Sequence, residues 1–162
     1  MSNLQTIGIS EYKIAMAPAV LVSYGLGSCV GIALYDSVLK CGALAHTLLP
    51  TRPSVISHGS NSAKYTDEAI EIMVSALLEN GCAVERLVAK LAGGASMFEP
   101  VYKSFRGEIG ERNVATAKSC LAKHGIPLIG EDTGQDYGRT IEFHTTTGAL
   151  LIKSLQRPGR TL

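Results

Sequence analysis

Val30-Gly31-Ile32-Ala33-Leu34-Tyr35-Asp36, then Ser37-Val38-Leu39-Lys40, then Cys41-Gly42-Ala43-Leu44-Ala45-His46-Thr47-Leu48-Leu49 read as strand, turn and strand. Two apolar runs flank a four-residue break, the pattern of a β-hairpin. A symmetric turn centred between Val38 and Leu39 pairs residues whose numbers sum to 77, so Gly31 faces His46 and Cys29 faces Leu48. Alternation puts His46 on one face with Leu44 and Leu48, while Ala43, Ala45 and Thr47 point the other way. Cys29 and His46 then become diagonal neighbours on the same face, with centres at roughly 7 to 8 Å, and Gly31 supplies clearance between them.

Outward from the hairpin, short apolar runs at 4–9, 13–17 and 19–24 complete what reads as a β-meander over the first fifty residues. A polar stretch over 50–64 is long enough for a functional surface loop. Residues 65–80 carry Ala69, Ile70, Met73, Val74 and Leu77 at helical spacing, Asp67 and Glu68 in the first turn, and Gly81 as a left-handed cap. A strand at 87–91 runs into Gly93-Gly94. A second helix over 111–124 stops at Gly125 with Pro127 beyond, and strands follow at 126–130, 138–144 and 149–155. Strands in runs, without strict β-α alternation, predict an α/β fold of mixed, mainly antiparallel β-sheets packed face to face with flanking helices. Internal repeats and linkers are absent, so residues 1–162 read as one domain.

The chain has 162 residues, 46% of them apolar, enough for one core without disulfides or metal. A formal charge of +1 from 15 basic and 14 acidic residues, with no run of like charge, argues against a nucleic-acid or anionic-membrane partner. No run approaches the roughly 20 apolar residues of a membrane span, and the N-terminus has no basic segment leading into an apolar one, so a cytoplasmic location is expected. Cys29, Cys41, Cys82 and Cys120 form no C-x-x-C pair, which gives no zinc or dithiol motif and predicts four thiols.

Chemistry concentrates at Ser23-Tyr24-Gly25-Leu26-Gly27-Ser28-Cys29-Val30-Gly31, where a strand breaks at glycines and resumes at a cysteine. Such a turn can hold a thiol at an edge and aim backbone amides, near Gly27 and Ser28, at a developing oxyanion. The segment fails as a dinucleotide fingerprint because Val30 stands at the third glycine, and as a nucleophile elbow because a strand follows the cysteine. A lone buried cysteine is usually a small hydrophobe, and a histidine among leucines usually a core residue bonded to a carbonyl. A thiol beside an imidazole, however, is the activated nucleophile of cysteine hydrolases.

The other candidates read as structural. Cys120 lies near the apolar stripe of the second helix, Cys82 packs back on Leu77, and Cys41 fills the hairpin end. His124 suits a helix C-terminus, His144 alternates with Phe143 onto an outer face, and His58 sits in the polar loop as a weak candidate for approaching substrate. Gly93-Gly94 lacks the Lys-Ser/Thr ending of a phosphate loop.

Set side by side, these segments resemble the CheD family along almost the whole chain. The blocks are Gly25-Leu26-Gly27-Ser28-Cys29, Ala45-His46-Thr47-Leu48-Leu49-Pro50, Tyr65-Thr66-Asp67-Glu68-Ala69-Ile70, Ile109-Gly110-Glu111-Arg112-Asn113, and Gly138-Arg139 with Thr147-Gly148. The resemblance implies a fold related to the cysteine-hydrolase domain of cytotoxic necrotizing factors. It also implies hydrolysis of selected glutamine amides on methyl-accepting chemotaxis proteins to glutamates, with Cys29 as nucleophile, His46 as base, and no metal or other cofactor. A CheC-type phosphatase is an implied partner. The family's third catalytic residue is a threonine six positions before the cysteine, where this chain has Ser23, and Leu91-Ala92-Gly93-Gly94-Ala95 also departs from the family pattern. The competing readings are an adaptor that binds such a phosphatase without catalysis, and a cysteine amidohydrolase acting on a small molecule.

Overall fold

A computed structural model describes residues 3–56, 62–97 and 108–162. The hairpin forms in the expected register. β4 (Val30–Asp36) pairs antiparallel with β5 (Cys41–Thr47), with Gly31 opposite His46 and Asp36 opposite Cys41. Every residue of both strands is buried, because both faces of the hairpin are covered. That is why its sequence is an almost unbroken apolar run.

The hairpin is the centre of a five-stranded sheet. It is flanked by β2 (Tyr12–Met16) beside β5, by β6 (Leu87–Gly93) beside β4, and by β7 (Leu128–Thr133) at the far edge. A second five-stranded sheet runs in the order β1 (Asn3–Thr6), β3 (Ala19–Leu26), β8 (Arg139–His144), β9 (Ala149–Lys153) and β10 (Arg160–Thr161). The β1–β3 and β6–β7 pairs are parallel and the other pairs are antiparallel. The mixed, mainly antiparallel sandwich is therefore as expected, but the meander is not. Successive strands β1 to β4 alternate between the two sheets, and among β1 to β5 only β4–β5 is a sequential hairpin.

Two cores result. Between the sheets, Leu21, Leu26, Ile141, Phe143, Leu150 and Ile152 meet Ala33, Tyr35, Leu44 and Ala92. On the other face of the hairpin, Val30, Ile32, Leu34, Cys41, Ala43 and Ala45 pack under the buried stripes of α1 (Thr66–Glu79) and α2 (Glu108–Lys123). Both helices stop as the sequence predicts, at Gly81 (φ +94°) and Gly125 (φ +70°), whose conformation returns the chain to bond the last turn. Cys82 N–H donates to Leu77 O and Ile126 N–H to Leu121 O.

Gly31 and Gly42 lie on the inner face of the hairpin. A Cβ at Gly31 would overlap the Ile141 Cδ1 methyl, and one at Gly42 would overlap the Phe143 ring. The clearance at Gly31 is therefore filled by Ile141 and Leu26 of the opposing sheet, and not by Cys29 and His46 as the hairpin pattern predicts. At the hairpin's other end, buried Asp36 accepts hydrogen bonds from the N–H groups of Val38 and Leu39 and pairs with Arg86 at 2.7 Å. The Arg86 guanidinium lowers the Asp36 pKa from an ordinary 3.8 to about 2.

Two outcomes follow. Gly31→Ala should destabilise the fold by roughly 1–3 kcal/mol through overpacking. Ile141→Val, which removes the methyl in the way, should recover part of that loss, so urea-unfolding midpoints of the single and double variants should be non-additive. Asp36→Asn should lower stability at neutral pH. Because the folded pKa lies below the unfolded one, this difference should persist above the ordinary value of 3.8 and close as pH falls towards 2, as followed by acid titration of both proteins.

Candidate active site

Ser23 and His46 come from different sheets and meet between them. Ser23 belongs to β3, His46 to the end of β5, and both are fully buried. Ser23 Oγ lies 2.7 Å from His46 Nδ1 and 2.8 Å from the carbonyl of Ile7. A carbonyl can only accept, so the single hydroxyl proton goes to Ile7 O. The hydrogen-bond inventory then assigns the proton between Ser23 and His46 to Nδ1. That tautomer leaves Nε2 with its lone pair, and Nε2 is buried with no partner among the described residues. Burial also holds the His46 pKa below its ordinary 6.5, so the ring is neutral at physiological pH. The arrangement is that of an oriented base with one free nitrogen.

The backbone of His46 is fixed as well, with its N–H on Glu11 O at 3.0 Å and its carbonyl taking Ser10 N–H at 2.8 Å. The methyl that a threonine would use to set its rotamer is missing at Ser23. Two hydrogen bonds to immobile partners define the hydroxyl instead.

Cys29 occupies the turn between β3 and β4, one residue before the ladder in which Gly31 opposes His46. Before the turn, the pairing of β3 with β8 slips between Ser23 and Leu26, a bulge that contains Gly25 at φ +70°. Bulges re-aim a chain next to a site, and this one turns β3 into the Gly27–Cys29 segment. Three successive carbonyls of that segment are held by other parts of the chain. Gly27 O accepts Ala95 N–H at 2.9 Å, Ser28 O accepts Asn113 Nδ2 at 2.9 Å, and Cys29 O accepts Gly94 N–H at 2.8 Å. Gly93 permits this closeness, since a Cβ there would overlap the Cys29 carbonyl. The Leu91–Ala95 stretch, read as a departure from the family pattern, therefore backs the turn.

Burial raises the Cys29 pKa, partly offset by its own backbone N–H, so the resting group is a thiol. Burial alone does not single it out. Cys29 and Cys120 are both 7% exposed, Cys82 is 6% and Cys41 is 0%, and burial pushes the Cys82 and Cys120 thiols up to about 12 and about 11. What distinguishes Cys29 is its neighbourhood. Cys41 and Cys82 lie in the same core at the far end of the hairpin, and Cys120 lies on α2 with its thiol 3.7 Å from the carbonyl of Asp67. Glu71, Cys120 and His124 have ligand atoms within 4.8 Å of one another, but they sit on the helix layer, across the hairpin sheet from His46. His144 is on an outward position of β8 beside Glu142, and His58 lies outside the described residues.

Sequence reasoning quoted Asn113 only within a family block. Its signal was present: it stands four residues ahead of Ala117 on the buried stripe of α2, where an apolar residue belongs. Arg139, from another such block, is structural. It is buried, stacks on Tyr137 with its guanidinium carbon 4.1 Å from the ring centroid, and bonds Asp132 at 2.8 Å. Its backbone pairs with Leu26 where the bulge ends.

Comparison with known proteins gives the chain its relatives. Residues 48–154 match the family model described as CheD chemotactic sensory transduction. A Geobacter metallireducens protein named probable chemoreceptor glutamine deamidase CheD 2 is 57% identical over 162 residues, covering 100% of both chains. Counterparts of the same kind in Geobacter sulfurreducens and Methanosarcina acetivorans are 55% and 45% identical, covering 98% and 96% of this chain and 98% and 95% of their own. On a shared family model and on similarity from end to end, the chain belongs to the CheD family.

Proposed function

We propose that this protein is a chemoreceptor glutamine deamidase, with residues 1–162 forming one catalytic domain, Cys29 as nucleophile, His46 as base and Ser23 as the group that orients it. The observation that carries the reading is the Ser23–His46 hydrogen bond, because it leaves a neutral Nε2, unpartnered among the described residues, at the end of the sheet where the glycine-backed Cys29 turn begins. The relatives' names supply the substrate class, side-chain amides of chemoreceptor glutamines.

A primary amide is a weak electrophile with a poor leaving group, so the chemistry has three demands. Cys29 Sγ attacks the side-chain carbonyl carbon while His46 Nε2 takes the thiol proton. The oxygen becomes an oxyanion, held by backbone amides of the Gly27–Ser28–Cys29 turn. The tetrahedral species collapses as the imidazolium returns its proton to nitrogen, the C–N bond breaks, and ammonia leaves a thioester. Water, losing a proton to His46, then attacks the thioester to give glutamate and restore the thiol. Atoms balance as amide plus water giving acid plus ammonia. Because burial keeps both partners neutral at rest, proton transfer accompanies attack and no preformed ion pair is needed.

No helix among the described residues is long and apolar enough to cross a membrane. We place the enzyme in the cytoplasm, acting on the cytoplasmic helices of receptors without entering the membrane, with a CheC-type phosphatase as a further partner.

Cys29→Ala should abolish conversion of receptor glutamine to glutamate, a gain of about 1 Da that peptide mass spectrometry localises, while folded Cys41→Ala, Cys82→Ala and Cys120→Ala keep it. Turnover by folded Cys29→Ala protein would refute the nucleophile. Ser23→Ala should lower kcat by about 10- to 100-fold, since the base loses its orienting partner, whereas Ser23→Thr should retain activity. Full activity in Ser23→Ala would remove the orienting role. The acid limb of the kcat/KM profile should fall below the ordinary histidine value of 6.5, because His46 stays neutral to lower pH than a solvated imidazole. An acid limb above 6.5 would contradict that assignment.

A further inference from the structure

Asn113 is fully buried in α2, and its side-chain amide reaches two segments that are far apart in sequence. Its Nδ2 lies 2.9 Å from the carbonyl of Ser28 and 3.1 Å from that of Leu48. Both partners can only accept, so the two protons of the amide nitrogen are both used and the orientation of the carboxamide is fixed. Ser28 immediately precedes Cys29, and Leu48 follows His46 by two residues. The helix comes near enough because its first turn carries Gly110. A Cβ at that position would overlap the carbonyls of Gly94 and Ala95, the loop whose N–H groups hold Cys29 O and Gly27 O.

The direction of the Ser28 carbonyl matters because of the peptide that contains it. In a trans peptide the C=O and the following N–H point in opposite directions across one rigid plane. Drawing Ser28 O towards α2 therefore turns the Cys29 N–H away from α2. Among the described residues the Ser28 and Cys29 N–H groups donate to no other residue's backbone carbonyl.

The same carboxamide keeps a penalty that a stability role would not require. Asn113 Oδ1 is buried with no partner among the described residues, and an apolar side chain at this point of the stripe would remove that unsatisfied acceptor. An amide retained here is explained by what its nitrogen holds.

We propose that Asn113 is a positioning residue for deamidation: by donating to Ser28 O, with Leu48 O fixing its carboxamide, it sets the Ser28–Cys29 peptide so that the Cys29 N–H faces the developing oxyanion. The proposal rests on the reading of Cys29 as nucleophile.

The test compares wild type with Asn113→Ala, Asn113→Ser and Leu121→Ala, the last a core change in the same helix. Each is measured for folding by circular dichroism, for kcat and KM on a receptor-derived glutamine peptide, and for the rate of Cys29 alkylation by iodoacetamide. Alkylation is a displacement at saturated carbon and develops no oxyanion, so it reports the thiol and its base but not the N–H donor. Asn113→Ala should lose about 10- to 100-fold in kcat with KM and alkylation within about threefold of wild type. Asn113→Ser, which keeps one donor, should fall between, and folded Leu121→Ala should keep the wild-type kcat. A folded Asn113→Ala with wild-type kcat, or one in which alkylation falls in parallel with kcat, would overturn the proposal. Failure of both Asn113 variants to fold would overturn it too, by making the residue structural. Failure of the deamidase reading itself would show earlier, as wild-type enzyme that leaves the peptide amide intact.

Discussion

One hydrogen bond between the two sheets, from His46 Nδ1 to Ser23 Oγ at 2.7 Å, is the constraint on which the rest of the site depends. An imidazole on the inner face of a fully buried hairpin is costly without a partner, by about 1–3 kcal/mol for an unsatisfied group. Only the opposite sheet can supply one. The close approach that lets it do so is built from glycines, with Gly31 and Gly42 clearing space for Ile141 and Phe143. The His46 tautomer, and with it an Nε2 unpartnered among the described residues, are thus consequences of one contact and of the carbonyl of Ile7 that consumes the serine proton.

The thiol is handled differently from the base. His46 is fixed through its side chain, whereas Cys29 is fixed through its backbone, by donors on the carbonyls of Gly27, Ser28 and Cys29. Carbonyls held from behind leave N–H groups directed forward, the geometry that oxyanion stabilisation needs. Four cysteines of comparable burial show why exposure and pKa are poor guides here. Cys41, Cys82 and Cys120 are surrounded by core side chains and helix carbonyls, and only Cys29 stands in a glycine turn held at three successive carbonyls.

Much of this was legible in the sequence for a local reason. The β4–β5 register follows from one symmetric turn, and from it the placement of His46 on the face with Leu44. Both helix ends follow from glycines after an apolar stripe. The path of the early strands was not legible, because a strand that pairs with its neighbour and one that crosses to the other sheet carry the same alternating pattern. The bulge after Ser23 was hidden for the same reason, since nothing local says that Tyr24 and Gly25 lack a paired partner. The hydrogen bonds of Ser23 to Ile7 and of Asn113 to Ser28 and Leu48 span 16, 85 and 65 residues, distances at which side-chain contacts leave no periodic trace. Ser23 was named only through family resemblance, and Asn113 was visible only as a polar residue on a stripe where it did not belong.

The central claim is that the Cys29 sulfur, served by His46 Nε2, bonds covalently to the substrate carbonyl. Acid quenching of the enzyme during turnover of a glutamine-bearing receptor peptide, followed by intact-protein mass spectrometry and mapping, tests it most directly. The account predicts an adduct on Cys29 equal to the peptide mass less ammonia, about 17 Da, that accumulates during turnover, decays as glutamate product appears, and is absent in Cys29→Ala. Steady deamidation with no such adduct on Cys29, or with the adduct on another residue, would contradict it.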